Sequence, residues 1–422
     1  MTRQWAAAAA ILALAWIRSP AQESRVIVLH YADSLVGRVI GGQEARELIG
    51  NVSISQESVQ INCDHAIQFL QTGIVQLDGN VVIRDESTTL RSPRAVYHRD
   101  ERRAEAFDGV SLDDGKVRLT SRYGEYLVKQ RQGFFRDDVT VVDSASVITA
   151  DSLTYFRTTR RSIAEGRVRV VTDGDRLSIT GGRLEHDQPL QFSRMTINPV
   201  LVQVDTGGGG PPDTLVVRSL VMEAYRDSAR RLVAMDSVRM AGHDLGGRSG
   251  YAVFFSQADS MVLRRSPVVW YQHTQVSGDS MHIFLLHRKL HRVLVTGGAV
   301  AVSEGDSLHR GRFDQMVGET MQMTFEQHAL RRIEVDTRAI GLYHLYDDTA
   351  SNGLNKISGD RIVMQFNEGA LRTIKIAGGV EGQYYPENLV HRREDQYAIP
   401  GARWRGDRPR MLHGAAGAVS VE

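Results

Sequence analysis

A repeat with a constant spacing is the feature that most limits how this chain can fold. Through the first half, one valine recurs every 29 residues, in most cycles directly behind a Gly or Asp; the five are Val52, Val81, Val110, Val139 and Val168. Two further columns keep the same spacing: Ile61, Leu90, Leu119 and Ile148, and Tyr97, Tyr126 and Tyr155. A fixed period of this length indicates stacked structural units, none of which can bury its apolar face alone.

The local pattern inside each period is that of β-strands. Residues 139–142 and 168–171 are mostly β-branched and are bounded by Gly or Asp, and residues 116–120 alternate between polar and apolar side chains. The sequence after residue 21 contains no amphipathic helical pattern of three turns or more. At ordinary strand lengths, 29 residues accommodate two or three strands with their turns. We therefore predict an all-β, solenoid-like array.

A related but longer cycle occupies the second half of the chain. Segments that begin with Gly-Asp or Gly-Glu at residues 278, 318 and 359 start 40 and 41 residues apart, and each is followed by a turn and another β-like segment. A Gly- and Pro-rich stretch separates the two halves. We predict the following division: a first array at 22–205, a linker at 206–213, a second array at 214–386, and a poorly ordered tail at 387–422.

The N-terminus has the features of a secretory signal peptide. A basic start with Arg3 precedes an uncharged apolar run of 13 residues at 5–17, which is too short to span a bilayer, and small residues precede Gln22. We predict removal of residues 1–21 and export of an essentially neutral protein. A buried N-terminal helix is the alternative.

Composition argues against several classes of protein. The 51 basic and 50 acidic residues give a formal net charge of +1, which does not suit overall binding to nucleic acid, and 42% hydrophobic residues argue against disorder. The single cysteine, Cys63, excludes an intramolecular disulfide and any multi-cysteine metal site. We predict no bound metal, no cofactor and no nucleic-acid partner.

One full cycle carries a family resemblance. Residues 79–110, GNVVIRDESTTLRSPRAVYHRDERRAEAFDGV, resemble the repeat of the OstA-like family, which comprises the periplasmic bridge proteins of lipopolysaccharide transport and the N-terminal domain of the outer-membrane translocon. The shared cues are G-x-V, an apolar residue before a small-residue segment, A-x-Y, and a charged turn that leads to the next G-x-V. Residues 353–366 and 379–387 resemble longer members, so the resemblance covers roughly residues 45–386.

The resemblance implies a fold and a function. The fold is a V-shaped β-jellyroll, open along one side, whose apolar interior shields lipid acyl chains. The implied ligand is lipopolysaccharide or a related glycolipid, and the implied location is the periplasm, with association to the outer membrane also open. The implied partners are other β-jellyroll transport components, or further copies of the chain, joined by end-to-end strand addition. The second array leaves both a bridge role and an accessory role open.

The alternating columns supply candidate residues for a lipid-binding interior. They share an inward position in the predicted strands, and they are Val81, Ile83, Leu90, Val110, Leu112, Leu119, Val139, Val141, Ile148, Val168 and Val170. The alternative is that they fill a closed solenoid core. The tyrosine column offers a similar choice between a lipid-contacting rim and a structural cross-strand ladder.

Two other classes of function remain as alternatives. A β-solenoid enzyme acting on envelope polysaccharide would gather several carboxylates in one outer cleft; acid pairs occur at Asp113-Asp114, Asp137-Asp138 and Asp347-Asp348, but at repeat turns Asp favours turn geometry. A structural scaffold for outer-membrane assembly would have a filled core. We predict no catalytic residues.

Three smaller features have a plain structural interpretation. His282, His287 and His291 form a cluster, but a strand–turn–strand context does not place such residues on one face as zinc binding requires. The basic strip Arg99, Arg102 and Arg103 is interleaved with acids and is interpreted as a solvated turn, with contact to lipid phosphates as the alternative. Cys63 is interpreted as a buried structural thiol.

Overall fold

The computed structural model describes most of the chain after residue 26. The described residues are 27–86, 88–144, 146–172, 177–205, 213–286, 289–304, 311–326, 329–347, 350–367, 370–413 and 419–422. The predicted signal peptide and the predicted linker, except for Asp213, lie outside them. The chain divides into two compact units, Met1–Asp108 and Gly109–Glu422, which we call unit 1 and unit 2.

Unit 1 is an antiparallel sheet. Its strands are β1 (Val28–Tyr31), β2 (Ser34–Ile40), β3 (Gln43–Gln56), β4 (Val59–Phe69), β5 (Ile74–Asp85), β6 (Thr88–His98) and β7 (Arg103–Phe107). Strands β1 and β2 both pair with β3, and β3 to β7 follow one another as a meander.

Unit 2 continues the same antiparallel pattern over many more strands. In chain order they are β8 (Val110–Asp113), β9 (Arg118–Ser121), β10 (Tyr123–Leu127), β11 (Gln132–Val142), β12 (Ser146–Phe156), β13 (Arg161–Thr172), β14 (Leu177–Asp187), β15 (Phe192–Thr196), β16 (Val200–Asp205), β17 (Asp213–Arg218), β18 (Val221–Tyr225), β19 (Arg231–Ala241), β20 (Leu245–Phe255), β21 (Ser260–Arg264), β22 (Val268–Tyr271), β23 (Thr274–Ser277), β24 (Ser280–Leu286), β25 (Lys289–Glu304), β26 (Phe313–Glu326), β27 (Ala329–Asp347), β28 (Ala350–Asn367), β29 (Ala370–Ala377) and β30 (Glu381–Pro386). The prediction of an all-β fold is confirmed.

The 29-residue period is the distance between corners at which the strands bend. At one corner, Gly79 and Asn80 both have left-handed backbone angles, with φ of 74° and 47°, and together they face the single residue Asp64 on the neighbouring strand. The Asn80 amide donates a hydrogen bond of 2.8 Å to the Asp64 carboxylate, and a Cβ on Gly79 would collide with that carboxylate. Such a bulge bends the strand, and glycine adopts its backbone angle without strain.

The same corner recurs along the chain. Pairs of residues with left-handed angles occur at 50–51, 79–80, 108–109, 137–138 and 166–167, each directly before one of the recurring valines. In the second half the pairs fall at 197–198, 236–237, 265–266, 297–298, 337–338 and 378–379, where turns of unequal length change the spacing. One period therefore contains the equivalent of two antiparallel strands, one running in each direction.

The corners divide unit 2 into two walls. Wall A contains the strand halves on one side of the corners, for example Arg231–Met235 of β19 and Tyr251–Phe255 of β20, and wall B contains the other halves, for example 238–241 and 245–249. Bent strands that form two walls agree with the jellyroll that the resemblance implies.

Hydrogen bonding continues past the predicted linker. Strands β16 and β17, which flank residues 206–212, pair from Val200↔Arg218 to Asp205↔Asp213. The flanking strands are therefore neighbours in one sheet, and the division into compact units falls instead at Asp108. The boundaries of the two predicted arrays stay a prediction.

The C-terminal segment differs from the poorly ordered tail that the sequence suggested. After helix α1 (Glu387–Val390) and a 3₁₀ turn at Glu394–Gln396, the chain runs to a small hairpin, β31 (Met411–His413) and β32 (Val419–Val421). Three of its side chains, Val390, Ile399 and Ala402, are buried against Val302, Leu342 and Leu354. We call Glu387–Glu422 the C-terminal strap. Its apolar residues have no strand or helix period, which is why the sequence pattern did not reveal it.

The strap crosses wall B. The Gln275 side chain on β23 accepts a hydrogen bond from the Arg405 amide (2.7 Å) and donates one to the Arg403 carbonyl (3.0 Å). Farther along, Arg408 donates to the backbone carbonyls of Gln272 and Asp244 at 2.9 and 2.8 Å. At its end, Val421 is buried with Val216 and Ala241. The strap therefore runs from β28 back to β17, so that it covers apolar side chains of wall B.

An ion pair anchors the beginning of the strap. Arg312, which is 9% exposed, donates to the Glu387 carboxylate at 2.5 Å and also lies 3.3 Å from Glu394. Chiefly through the hydrogen bond from Arg312, and against the effect of burial, the pKa of Glu387 falls from 4.5 to about 2. A carboxyl group with a lowered pKa stabilises the fold above its unfolded-state pKa, and this contribution is lost as the pH falls toward the folded-state value.

We expect the Glu387→Gln variant to show this contribution directly. It should be less stable than the wild type at pH 7, and the difference in free energy of unfolding between the two should shrink between pH 4.5 and pH 2, where Glu387 becomes protonated in the wild type. Urea unfolding of both proteins at a series of pH values measures the difference, and other carboxyl groups cancel in it. A difference that stays constant with pH would contradict the anchoring role.

Candidate functional site

A large cavity lies inside unit 2. Its volume is about 2540 Å³, and side chains from both walls and from the turns at their ends line it, from Leu112 on β8 to Leu330 on β27. Pockets that hold drug-sized ligands are commonly about 300–1,000 Å³. The cavity is therefore large enough for a ligand of much greater size.

Small side chains on wall A create the space. Met222, Ala234 and Ala252 are direct neighbours across β18, β19 and β20, and all three face the cavity. The two adjacent alanines, Ala234 and Ala252, leave room in front of them that longer side chains would occupy. Longer side chains at the same depth on other strands of wall A, such as Leu153 and Leu184, also line the cavity.

Later strands of wall A carry larger residues at the same depth. Met321, Val335 and Ile362 are direct neighbours across β26, β27 and β28. All three are fully buried, and none of them lines the cavity. Their side chains fill the interior in the way that a close-packed core requires. The open interior is therefore a local feature of unit 2.

Seven methionines contribute to the lining. They come from both walls and from the strap, and they are Met195, Met222, Met240, Met261, Met281, Met323 and Met411. Methionine is unbranched and polarisable, so it adapts to ligands of irregular shape better than branched residues do. The lining is suited to flexible apolar chains.

The candidate residues predicted from sequence fall into three groups. Five line the cavity: Leu112, Leu119, Val141, Ile148 and Val170. Three are buried directly behind corners of unit 2 but do not line it: Val110, Val139 and Val168. Three are buried in unit 1: Val81, Ile83 and Leu90. Residues next to a corner pack where the walls meet, whereas those farther out reach the space between the walls. Lipid binding by any of them stays a prediction.

Sequence reasoning missed the wall A residues that make the space. The sequence does carry a weak signal for them, which is a Met or Ala two residues from another inward side chain, as in Met222-x-Ala224 and Ala252-x-Phe254. Alanine is too common in strands of any orientation for this signal to stand out without the corners.

The recurring tyrosines have different surroundings. Tyr97 is fully buried in unit 1, its hydroxyl donates a 2.7 Å hydrogen bond to Gln56, and burial raises its pKa to about 12. In unit 2, Tyr126 and Tyr155 both pair with Gly133, on opposite sides of it, and only Tyr155 lines the cavity. Tyr97 therefore has a structural role in unit 1, whereas Tyr155 faces the cavity of unit 2.

The two ends of the cavity differ in charge. We call the turns that end wall A, at residues 157–160, 188–191, 226–230 and 256–259, rim A; its cavity-lining residues include Arg160, Arg226 and Arg230. Nearby, burial and then the charge of Arg226 lower the pKa of His186. We call the turns that end wall B, at 113–117, 143–146, 242–245 and 271–274, rim B.

Carboxylates on rim B serve the turns. Asp114 accepts hydrogen bonds from the backbone amides of Lys116 (3.0 Å) and Val117 (2.8 Å), and Asp143 accepts one from the Ser146 amide (2.6 Å). Of the other acid pairs, Asp137 and Asp138 occupy a corner, and Asp347 accepts a hydrogen bond from Asn352 while Asp348 lies outside the described residues. These carboxylates have structural partners.

The remaining sequence candidates are placed as follows. His282 stacks on Phe284 at 3.9 Å, whereas His287 lies outside the described residues, and the described residues contain no group of three or more His, Cys, Asp or Glu that could hold a metal ion. Cys63 is buried, its thiol donates to the His65 carbonyl, and burial raises its pKa to about 12.

The basic strip of unit 1 is neutralised by its neighbours. Arg99 pairs with Asp100 at 2.9 Å, Arg102 pairs with Glu57 at 2.5 Å, and Arg103 pairs with Glu101 at 2.8 Å.

Comparison with known proteins gives one family match. The model of a family described as OstA-like protein matches residues 71–151, which confirms the resemblance for that part of the chain. No curated protein matches. Among solved structures, the chain is similar to the crystal structure of LptH, the LptA homologous periplasmic component of the conserved lipopolysaccharide transport device from Pseudomonas aeruginosa; the TM-score is 0.27 and the identity 16%, over 34% of this chain and 95% of that chain. Within the described residues, no helix is both long and apolar enough to cross a membrane.

Proposed function

We propose that the protein binds lipopolysaccharide or a related glycolipid, shields its acyl chains in the cavity of unit 2, and takes part in its transport to the outer membrane. The single observation that carries this proposal is the cavity of about 2540 Å³ between the two walls. The OstA-like match over residues 71–151 supports it. A filled scaffold would not retain such a space.

The energetics favour acyl chains as the occupant. Burial of a methylene group stabilises binding by about 0.8 kcal/mol, so one well-sheltered chain contributes several kcal/mol. The methionines can adjust to each chain.

The repeated register suits movement of a lipid along the array. Leu119, Val141, Ile148 and Val170 lie on successive strands of wall B and all face the cavity. A lipid that shifts by one strand therefore exchanges one apolar contact for a similar one. Similar affinity at neighbouring positions is what passage through a carrier requires.

The ends of the sheets are available for strand addition. In the described part of the chain, β29 and β30 each pair with one strand, β28. In unit 1, β1 and β2 pair with β3, and they expose apolar side chains such as Leu29 (41%) and Val39 (73%). Such edges can add a strand from another chain. The proposed partners are other β-jellyroll transport components or a second copy of this chain.

The proposal includes a location and a non-enzymatic role. Export by the predicted signal peptide would place the mature protein in the periplasm, with association to the outer membrane as part of the transport route. Binding and release of a lipid need no catalytic group, metal or cofactor.

Site-specific photo-crosslinking in cells tests the proposal. A photoreactive amino acid at Ile148, which lines the cavity, should give an adduct with lipopolysaccharide. The same amino acid at Val147, the next residue of β12, is the matched control, because its side chain is 38% exposed and points to the opposite face of the strand. Equal crosslinking at both positions, or no lipid adduct at Ile148 in a folded protein, would argue against a lipid-shielding cavity.

A further inference from the structure

One edge of the cavity has positive charge that the shielding of acyl chains does not use. Arg160, Arg226 and Arg230 border the cavity on rim A, and all three are exposed. Within the described part of the chain, no carboxylate forms an ion pair with any of them. This differs from the corresponding turn of unit 1, where Arg99, Arg102 and Arg103 have acidic partners.

The three arginines belong to one continuous row of turns. The Gln188 amide donates to the Arg160 carbonyl at 3.2 Å, and the Arg226 amide donates to the Gln191 carbonyl at 3.0 Å. The Ser256 amide in turn donates to the Arg230 carbonyl at 3.2 Å. Consecutive hairpins in an antiparallel sheet lie about 10 Å apart, twice the strand spacing. The guanidinium groups therefore stand along one side of the cavity mouth.

The acidic residues closest in sequence are already engaged. Asp227, in the same turn as Arg226 and Arg230, pairs with Arg231 at 2.8 Å. Glu223 accepts a hydrogen bond of 2.6 Å from the Tyr225 hydroxyl. One further acid of rim A, Asp259, also borders the cavity. The three arginines outnumber it, so rim A keeps a net positive charge that a ligand can use.

The opposite edge has the reverse character. On rim B three carboxylates, those of Asp114, Asp143 and Asp244, border the cavity beside one cation, Lys116. Turn amides donate hydrogen bonds to Asp114 and Asp143. An amphiphile with its chains in the cavity would therefore meet three arginines and one carboxylate, Asp259, at rim A, and mainly carboxylates at rim B. A negatively charged head group is favoured at rim A and disfavoured at rim B, since Coulomb interactions of opposite sign act at the two edges.

We propose that rim A binds the anionic head group, a phosphate monoester, of the amphiphile whose chains occupy the cavity; this rests on the proposed function of the cavity. The Arg226 and Arg230 guanidinium groups donate paired N–H groups to the phosphate oxygens, a geometry that arginine provides and lysine does not. The head group then fixes the direction in which the lipid enters between the walls.

Two amphiphiles with the same chain and different head groups test this proposal. Dodecyl phosphate should bind the wild-type protein about tenfold more tightly than dodecyl maltoside at low salt, and the preference should weaken as salt is added. The double variant R226Q/R230Q should lose the preference and keep its affinity for dodecyl maltoside. The matched control R169Q/R264Q removes two exposed charges from strand positions that do not line the cavity, and it should behave as the wild type. Isothermal titration calorimetry measures all of these affinities.

The outcomes separate this inference from the proposed function. If neither amphiphile binds the wild-type protein, the cavity is not a lipid site and the proposed function fails. If both bind equally well, or if R226Q/R230Q keeps the preference, the head-group site is wrong while lipid binding stands. Inorganic phosphate alone is the third arm: if it binds as tightly as dodecyl phosphate, rim A is a free-phosphate site and the inference is overturned.

Discussion

Replacing Ala234 by Trp should abolish amphiphile binding while the protein stays folded. Ala234 faces the cavity between Met222 and Ala252, and its small side chain leaves open space in front of it. An indole at this position would occupy volume that the acyl chain needs. Overpacking a filled core costs about 1–3 kcal/mol, and the cost here should be at the lower end because the neighbouring space is empty.

The stabilisation of the protein by ligand gives the measurement. At an amphiphile concentration of 100 times Kd, binding should raise the free energy of unfolding of the wild type by about 2.7 kcal/mol. In the Ala234→Trp variant this increase should disappear, as urea unfolding with and without dodecyl maltoside would show. The control is Val147→Trp, which adds the same indole to an exposed strand position of unit 2. If Ala234→Trp remained fully stabilised by the amphiphile, binding would take place outside the cavity.

The second large effect concerns the C-terminal strap. Val390 is 0% exposed and packs against Leu342 and Leu354, so Val390→Asp would place a charge among apolar side chains. An unpaired buried charge costs about 3–5 kcal/mol, which is comparable to the total stability of many domains. We expect the strap to leave wall B, because its release returns the carboxylate to water.

Hydrogen exchange reports on this release. The Ile399 amide donates a 2.7 Å hydrogen bond to the Gln315 side chain, and the Arg405 amide donates to Gln275, so both should be protected in the wild type. In Val390→Asp both amides should exchange rapidly. Leu389→Asp is the matched control, since the adjacent Leu389 is 45% exposed and should tolerate the charge. Unchanged protection in Val390→Asp would mean that the strap is held mainly by its polar contacts.

The two variants also test independent parts of unit 2. Ala234 lies on wall A and faces the cavity, whereas Val390 packs against wall B through residues that do not line it. The effects of distant, independent substitutions on stability are nearly additive. A double variant should therefore combine the lost ligand stabilisation of one with the released strap of the other.

The sequence was most informative where the chemistry is local. Gly79-Asn80 before Val81 and the equivalent pairs before Val110, Val139 and Val168 specify corners, because only a few residue types adopt left-handed backbone angles readily. Alternation in segments such as 167–170 specifies which side chains share a face. These two patterns were sufficient to predict a repetitive all-β array.

The candidate site was only partly predictable. Leu119 and Ile148 were selected because they belong to a repeating column, and they line the cavity. Val139 was selected by the same criterion, yet it packs next to a corner and does not line it. Periodicity identifies the inward face of a strand, but the distance of a residue from the corner determines whether it meets the opposite wall or empty space.

By itself the sequence determined the all-β class, the 29-residue repeat and the inward face of the strands, since each depends on backbone preference and alternation over a few neighbouring residues. Only the tertiary structure decided that Ala234 and Ala252 border a cavity whereas Met321 and Val335 do not. It also decided that Arg226 and Arg230 stand at the edge of this cavity and that Val390 and Val421 pack a strap against wall B. These features depend on contacts between residues far apart in the chain. Their distances and volumes are fixed only when the strands are packed together.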